Sequence, residues 1–112
     1  MSTDTLNWTA VCAVSDILPN TGVCALVDGR HVAVFRVGAD RFYAIDNVDT
    51  KAQASVLSRG LVGSLGERVV VASPLYKHHF DLTTGECLEL PEHSVHAHGV
   101  RVDEGRVLVC LN

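Results

Sequence analysis

Short apolar stretches of β type run along the whole chain, and glycine, aspartate, asparagine or proline interrupts them at intervals of roughly eight to twelve residues. Between two of these stretches, Asp28-Gly29 supplies the dipeptide that favours a tight β-hairpin turn. Gly105 lies between two later stretches and predicts a three-residue hairpin loop with a bulge. Helical periodicity is weak, although residues 51–61 are compatible with one helical turn. The pattern therefore predicts an all-β sandwich or small barrel.

Length, composition and charge narrow the class of protein. The chain has 112 residues, of which 47% are hydrophobic and 20% are charged, and these are the proportions of a single globular domain. The formal net charge is −4, and the lysines and arginines are scattered singly along the sequence. Because no basic stripe is available to neutralise a phosphate backbone, we expect no nucleic-acid binding.

The sequence shows no features of export or membrane insertion. No apolar run approaches the roughly 18 to 20 residues that a membrane helix needs. Residues 1–8 are polar and acidic, whereas a signal peptide would be basic and then apolar. The four cysteines include no Cys-x-x-Cys pair, and in an oxidising compartment they could form bridges, but without an export signal we expect the reducing cytosol. We therefore expect a cytoplasmic protein with no membrane partner, in which Cys12, Cys24 and Cys110 are buried thiols within apolar stretches.

A group of histidines near the carboxyl end raises the question of a metal site. His93, His96 and His98 are close in sequence, and His96 and His98 would share one face of an extended strand. Histidine is a common zinc ligand, but no cysteine or acidic cluster completes a set of ligands here. We therefore expect no metal site, and we interpret these histidines as exposed polar residues on a strand that begins near Val95.

Residues 69–89 contain a proline, an aromatic residue, an aspartate and a Thr-Gly-Glu turn, in an order that resembles the second ligand loop of Rieske-type ferredoxins. The matching residues are Pro74, Phe80, Asp81, Thr84, Gly85 and Glu86. Proteins of that family hold a 2Fe–2S cluster with two cysteines on one iron and two histidines on the other. Their first ligand loop resembles residues 45–60, where the matching positions are Asn47, Leu57, Ser58 and Gly60.

All four ligand positions of the family differ in this chain. In the first loop Asp49 replaces the cysteine and Lys51 replaces the histidine. In the second loop Ser73 replaces the cysteine, Tyr76 replaces the histidine, and Lys77 stands where glycine is usual. Iron–sulfur clusters require soft thiolate donors, which none of these side chains provides. We therefore predict that this chain binds no cofactor and no metal.

Among Rieske-like domains that lack the ligands, this chain resembles one group in particular, the small subunits of NAD(P)H-dependent assimilatory nitrite reductases. The specific matches are at residues 52–61 and 69–89. The resemblance implies a single Rieske-like domain over residues 1–112, a sandwich of small antiparallel sheets with a degenerate cluster-binding subdomain at about residues 47–90. It also implies a cofactor-free accessory subunit of a cytoplasmic complex that reduces nitrite to ammonium, in which FAD, a 4Fe–4S cluster and sirohaem belong to the large subunit.

The sequence offers no catalytic motif, so we expect the chain to act by contact with a partner. The degenerate ligand loops are the candidate interface with the large subunit, through Asp49, Lys51, Ser73, Tyr76 and Lys77. A simpler interpretation is that the second-loop side chains only fill the space of a lost cluster. Two other functions stay open, a Rieske-type 2Fe–2S ferredoxin for an oxygenase and an interaction module of another redox enzyme.

Overall fold

The structure is a computed structural model that describes residues 7–112, so most of the polar amino-terminal segment considered above lies outside the described residues. All regular elements of this range are strands or short 3₁₀ turns, which confirms the predicted all-β class. The strands are β1 (Thr9–Ala13), β2 (Thr21–Val27), β3 (Arg30–Val37), β4 (Arg41–Asp46), β5 (Val48–Asp49), β6 (Ala54–Ser55), β7 (Leu61–Leu65), β8 (Arg68–Ala72), β9 (His79–Asp81), β10 (Ala97–Asp103) and β11 (Arg106–Cys110).

These strands form three antiparallel sheets. The largest has six strands in the order β1-β11-β10-β4-β3-β2, and it carries both ends of the described chain. The second has two short strands, β5 and β6, and the third has three strands in the order β7-β8-β9. The two smaller sheets therefore lie between β4 and β10 in sequence, in the region that contains both ligand loops.

Two hairpins of the large sheet test the turn predictions. Asp28 and Gly29 connect β2 to β3 with φ angles of 49° and 78°, which confirms the tight turn. The β10–β11 hairpin instead has a two-residue loop, because Asp103 pairs directly with Arg106 and residues 104–105 both have positive φ. The prediction of a three-residue loop with a bulge is therefore wrong.

The predicted helical turn within residues 51–61 is present only as a three-residue 3₁₀ turn, Leu57–Arg59. Leu57 is fully buried and anchors the turn in the core, and Gly60 ends it. A side chain at Gly60 would collide with the carbonyl oxygen of Ala72 on β8. Glycine therefore lets the turn approach the three-stranded sheet closely enough to touch its backbone.

The core consists of two clusters of buried apolar side chains, one on each side of the large sheet's central strands. One cluster packs β3 and β4 against the smaller sheets and includes Phe35, Ile45, Leu57, Val71, Phe80, Leu82 and Cys87. The other packs the same strands towards β11 and includes Ile17, Val27, Val32, Val34, Val107 and Val109. The region of the ligand loops is thus attached to the large sheet by a continuous apolar contact.

The cysteines differ from expectation in their burial. Cys87 is fully buried, Cys12 and Cys110 are half-buried, and Cys24 is exposed, so the prediction of buried thiols is wrong for Cys24. Cys24 lies on β2, an edge strand whose outward face meets solvent, which the apolar neighbours in sequence did not reveal. All four thiols are free. Within the part of the chain that is described, no helix is long and apolar enough to cross a membrane.

Candidate functional site

Asn47 organises the first ligand loop. Its side-chain oxygen accepts a hydrogen bond from the backbone N–H of Ser58 at 2.7 Å, and its amide nitrogen donates to Ser55 Oγ at 2.7 Å. Its backbone carbonyl accepts from the N–H groups of Val56 and Leu57, both at 3.0 Å. Because one buried asparagine bonds to β6 and the residues that follow it, hydrogen bonds within the protein fix the path of the loop.

The second ligand loop, residues 73–78, is closed by its own backbone. The N–H of Ser73 donates to the carbonyl of His78 at 2.9 Å, and the N–H of Lys77 donates to the carbonyl of Ser73 at 2.9 Å. Lys77 has a φ of 61°, in the left-handed region that favours glycine. The loop therefore keeps a glycine-type backbone conformation at the position where the resembling family has glycine.

The Thr-Gly-Glu turn holds the base of the second loop. The carboxylate of Asp81 accepts hydrogen bonds from the N–H groups of Thr83 and Thr84 at 2.7 and 3.2 Å. Gly85 has a φ of 83°, and a side chain there would collide with the backbone of Val95. These residues fix β9 and the second loop against the strand that leads into β10.

A buried hydrogen-bond network connects the two loops, and we call Asp49, Ser73 and His78 the inner network. The side chains of Asp49 and Ser73 are 0% and 1% exposed. Ser73 Oγ donates to Asp49 Oδ2 at 2.5 Å, and His78 Nε2 lies 3.2 Å from Asp49 Oδ1. The same Oδ1 accepts from the N–H groups of Lys51 and Ala52 at 3.0 and 3.3 Å. One carboxylate therefore joins both loops.

The inner network stabilises the charged form of Asp49. Burial raises the pKa of this carboxyl, but the hydrogen bond from Ser73, the N–H of Ala52, the nearby His78 and the N–H of Lys51 together hold that pKa below its ordinary value. His78 packs beside Phe80, with ring centroids 5.1 Å apart, and its buried Nδ1 has no hydrogen-bond partner within residues 7–112. The imidazole is thus held by packing and by a single polar contact.

Three exposed side chains lie at the end of the loops, and we call Lys51, Tyr76 and Lys77 the loop tip. Tyr76 is 56% exposed, and Lys51 Nζ lies 5.1 Å from the centroid of its ring. A cation at this distance over an aromatic ring is attracted to it, so the contact links the two loops on the outside as well. Lys77 is also exposed.

The five interface residues predicted from the sequence are distributed between the inner network and the loop tip. Asp49 and Ser73 were expected on the protruding surface, and that expectation is wrong because their side chains turn inward and bond to each other. Lys51, Tyr76 and Lys77 are exposed, and their role in docking stays a prediction. The inner network itself was not foreseen. Its only signal in the sequence is the alternation that places His78 on the same face as buried Phe80.

The side chains present do not fit a 2Fe–2S cluster. Such a cluster needs two thiolates and two imidazoles that converge from the two loops. Here Asp49 and Ser73 are bonded to each other, while Lys51 and Tyr76 lie at the surface. Within residues 7–112, no group of three His, Cys, Asp or Glu side chains is placed to hold a metal ion.

The carboxyl-terminal histidines are separated by the fold. The strand begins at Ala97, close to the predicted start, but His98 is buried and not exposed as expected. His98 Nε2 lies 2.8 Å from Asp46 Oδ1, and its Nδ1 accepts the N–H of Asn112 at 3.0 Å. His96 is exposed. His98 therefore ties the end of the chain to β4, which is a structural role.

Comparisons with known proteins agree with this geometry. The family of Rieske-like [2Fe-2S] domains matches residues 7–110. A protein of Salmonella typhimurium named nitrite reductase (NADH) small subunit is 46% identical over 101 residues, which cover 89% of this chain and 94% of that protein. The chain belongs to the family of nitrite reductase small subunits. Its predicted Rieske-like fold is thereby confirmed.

Two further comparisons concern a solved structure and a longer protein that contains a similar domain. The crystal structure of a nitrite reductase small subunit from Mycobacterium tuberculosis, described as NADH-dependent, superimposes with a TM-score of 0.91 at 41% identity, and the match covers 97% of this chain and 98% of that one. A Klebsiella oxytoca protein named nitrite reductase [NAD(P)H] large subunit is 40% identical over 102 residues. That match covers 91% of this chain but only 11% of the Klebsiella protein, so the same domain also exists within a much longer polypeptide.

Proposed function

We propose that this chain is a cofactor-free accessory subunit of an NAD(P)H-dependent nitrite reductase, and that it acts by contact with the large subunit. The observation that carries the proposal is the inner network of Asp49, Ser73 and His78. Asp49 and Ser73, which stand at the cysteine positions of the two loops, bond to each other. The proposed role of such a domain is to present a shaped surface to the partner, and the proposal assigns it no part in carrying electrons.

The Klebsiella relative supports the choice of partner. Its single chain, named as a large subunit, contains a region that is 40% identical to this domain. Covalent fusion keeps two domains at a high effective concentration, which is useful when they must touch. We therefore propose the large subunit as the partner, with FAD, a 4Fe–4S cluster and sirohaem on that subunit and nitrite reduced to ammonium there.

A cytoplasmic location is part of the proposal. Its support is the set of four free thiols, since disulfides are rare in the reducing cytosol. Burial raises the pKa of the Cys87 thiol, so this cysteine is held in its unreactive protonated form.

The loop tip is the proposed contact. Tyrosine is enriched at interface hot spots, and Tyr76 offers an exposed ring with Lys51 packed over it. The proposal is tested by co-purification of the full-length chain with the large subunit from cells grown on nitrite. We expect the unmodified chain to retain the large subunit, and Tyr76→Ala and Lys77→Glu to weaken that retention without loss of folding. A correctly folded wild-type chain that never retains the large subunit would end the proposal.

A second candidate, a 2Fe–2S ferredoxin, is favoured by the family match to Rieske-like [2Fe-2S] domains. The two candidates differ in colour, because a cluster absorbs visible light and a cofactor-free chain does not. A colourless preparation from iron-replete cells supports the accessory subunit, whereas a red-brown one supports the ferredoxin.

A further inference from the structure

A groove lies beside the loop tip, between the 3₁₀ turn and the second ligand loop. One side is formed by residues 59–61, and the other by residues 72–74 with Lys77 and His79. Its volume is about 410 Å³, which is enough for one or two side chains of a partner protein. We call it the lateral groove. Two of the five residues predicted as an interface from sequence, Ser73 and Lys77, contribute to its wall, whereas the side formed by residues 59–61 was not foreseen.

The edges of the lateral groove are apolar and exposed. Leu61 is 79% exposed and Leu75, in the adjacent loop, is 53% exposed. Pro74, which precedes Leu75 in the loop, lines the groove together with Leu61 and is exposed as well. Exposed apolar residues that line a groove are a feature of protein contact sites.

The charge around the lateral groove is positive, although the whole chain carries a formal charge of −4. Within the described residues, Arg59, Lys77 and Lys51 form no ion pair. The carboxylate of Glu89 lies 2.6 Å from His79 Nδ1, so this nearby acidic residue pairs with the histidine. The exposed cations at this face are therefore left for a partner.

A second groove shows the contrast. It lies at the β2–β3 hairpin and has a volume of about 370 Å³, and it is also lined by an arginine. That arginine, Arg30, forms an ion pair with Asp46 at 3.1 Å, so its charge is compensated within the chain. In the lateral groove, by contrast, Arg59 and Lys77 form no ion pair within residues 7–112.

Lys77 keeps a side chain at a position where the backbone favours glycine. Its φ of 61° is disfavoured for a non-glycine residue relative to a relaxed conformation. Glycine would avoid that cost, yet the chain has a long cationic side chain at the mouth of the groove. The groove therefore has a cation where the backbone conformation would favour glycine.

From these observations we propose that the lateral groove binds an acidic segment of the large subunit, with an apolar side chain of that segment packed between Leu61 and Pro74 and its carboxylates facing Arg59 and Lys77. The inference rests on the proposed function, and it adds the binding surface and the chemistry of the partner segment. Charge complementarity selects the segment and apolar burial anchors it.

The test is a binding titration between the purified large subunit and the full-length chain at low and high salt. Arg59→Glu reverses a groove charge, and Leu61→Ser removes the apolar edge. Arg41→Glu and Leu26→Ser are matched controls, because both residues are exposed on the six-stranded sheet. We expect each groove variant to weaken binding by about tenfold or more and each control to bind as the wild type does. The wild-type affinity should fall with salt, and Arg59→Glu should reduce that dependence.

The outcomes separate this inference from the function on which it rests. If the wild type binds and both groove variants bind equally well, the groove is overturned and the accessory function stands. If the wild type itself does not bind, both fall. Analytical sedimentation of the chain without the large subunit tests whether a second copy of the chain occupies the groove. A dimer that Leu61→Ser dissociates would mean that the groove receives a second copy, which overturns the acidic-segment proposal.

Discussion

The two ligand loops contain an inner set of residues that is buried and an outer set that is exposed. The inner network of Asp49, Ser73 and His78 is buried and its members bond to each other. The outer set, the loop tip, is exposed and is joined only by the contact between Lys51 and the ring of Tyr76. The former ligand positions are thus divided, two turned inward and two outward.

The proposed absence of a cluster raises the question of what holds the two ligand loops together. A metal cluster cross-links the loops that hold it, and loops without it would lose that constraint. In this chain a buried carboxylate with four hydrogen-bond donors around it supplies the cross-link. The outer residues are then available for the proposed contact with a partner, because the inner network already joins the loops.

The largest expected effect comes from removing the carboxylate of the inner network. Asp49→Ala leaves buried Ser73 and His78 without their shared acceptor, and we expect the free energy of unfolding to fall by about 3 kcal/mol. Urea denaturation measures it. Asp40→Ala, at an exposed turn, is the control and should change stability by less than about 0.5 kcal/mol. A loss below about 1 kcal/mol for Asp49→Ala would mean that packing alone holds the loops.

A smaller effect is expected at low pH. The folded-state pKa of Asp49 is depressed, so its contribution is present at pH values above the unfolded pKa, about 3.9, and is lost as the pH falls through the folded value. Ser73→Ala removes the strongest of the bonds that lower this pKa. We expect it to cost about 2 kcal/mol at pH 7 and clearly less at pH 2.5, measured by urea denaturation at both pH values. Ser64→Ala, at an exposed strand position, serves as control. If the cost of Ser73→Ala does not change with pH, the contribution of Ser73 to stability does not depend on the charge of Asp49, and the account is contradicted.

The smallest expected effect on stability is at the loop tip. Lys77→Gly relieves the left-handed backbone but adds chain entropy to the unfolded state, so we expect a net gain of about 0.5 kcal/mol. The same variant should bind the large subunit several-fold more weakly, because the ammonium is lost. Glu104→Gly, at a φ of 52° in the β10–β11 hairpin, should give a similar gain in thermal denaturation and unchanged binding. Equal binding by Lys77→Gly and wild type would leave Lys77 without a part in docking.

The sequence predicted the strands and turns of the molecule better than it predicted which loop side chains are buried. Asp28-Gly29 and the residues of the Thr-Gly-Glu turn have backbone requirements that few other residues meet, so their pattern identified them. Glu104 takes a positive φ that glutamate seldom adopts, and for this reason the loop length was mispredicted. In the same way, irregular loops have no periodicity that separates inward from outward positions.

The burial of the inner network depends on contacts between distant parts of the chain. Asp49 and Ser73 are 24 residues apart, and they meet because the strands that flank the two loops contribute Ile45, Val71 and Phe80 to the same apolar cluster. The lateral groove has the same origin, since Arg59 and Lys77 line one groove only when Gly60 lets the 3₁₀ turn lie against β8. Such pairings are products of the tertiary fold and leave no signature in local sequence.

The central claim is that this domain serves its complex without carrying electrons. The most direct measurement is the electron paramagnetic resonance spectrum of the native chain, purified without air and reduced with dithionite, together with its iron and acid-labile sulfide content. The account predicts no Rieske-type signal and no stoichiometric iron or sulfide. A Rieske signal that accounts for most of the chains would contradict it.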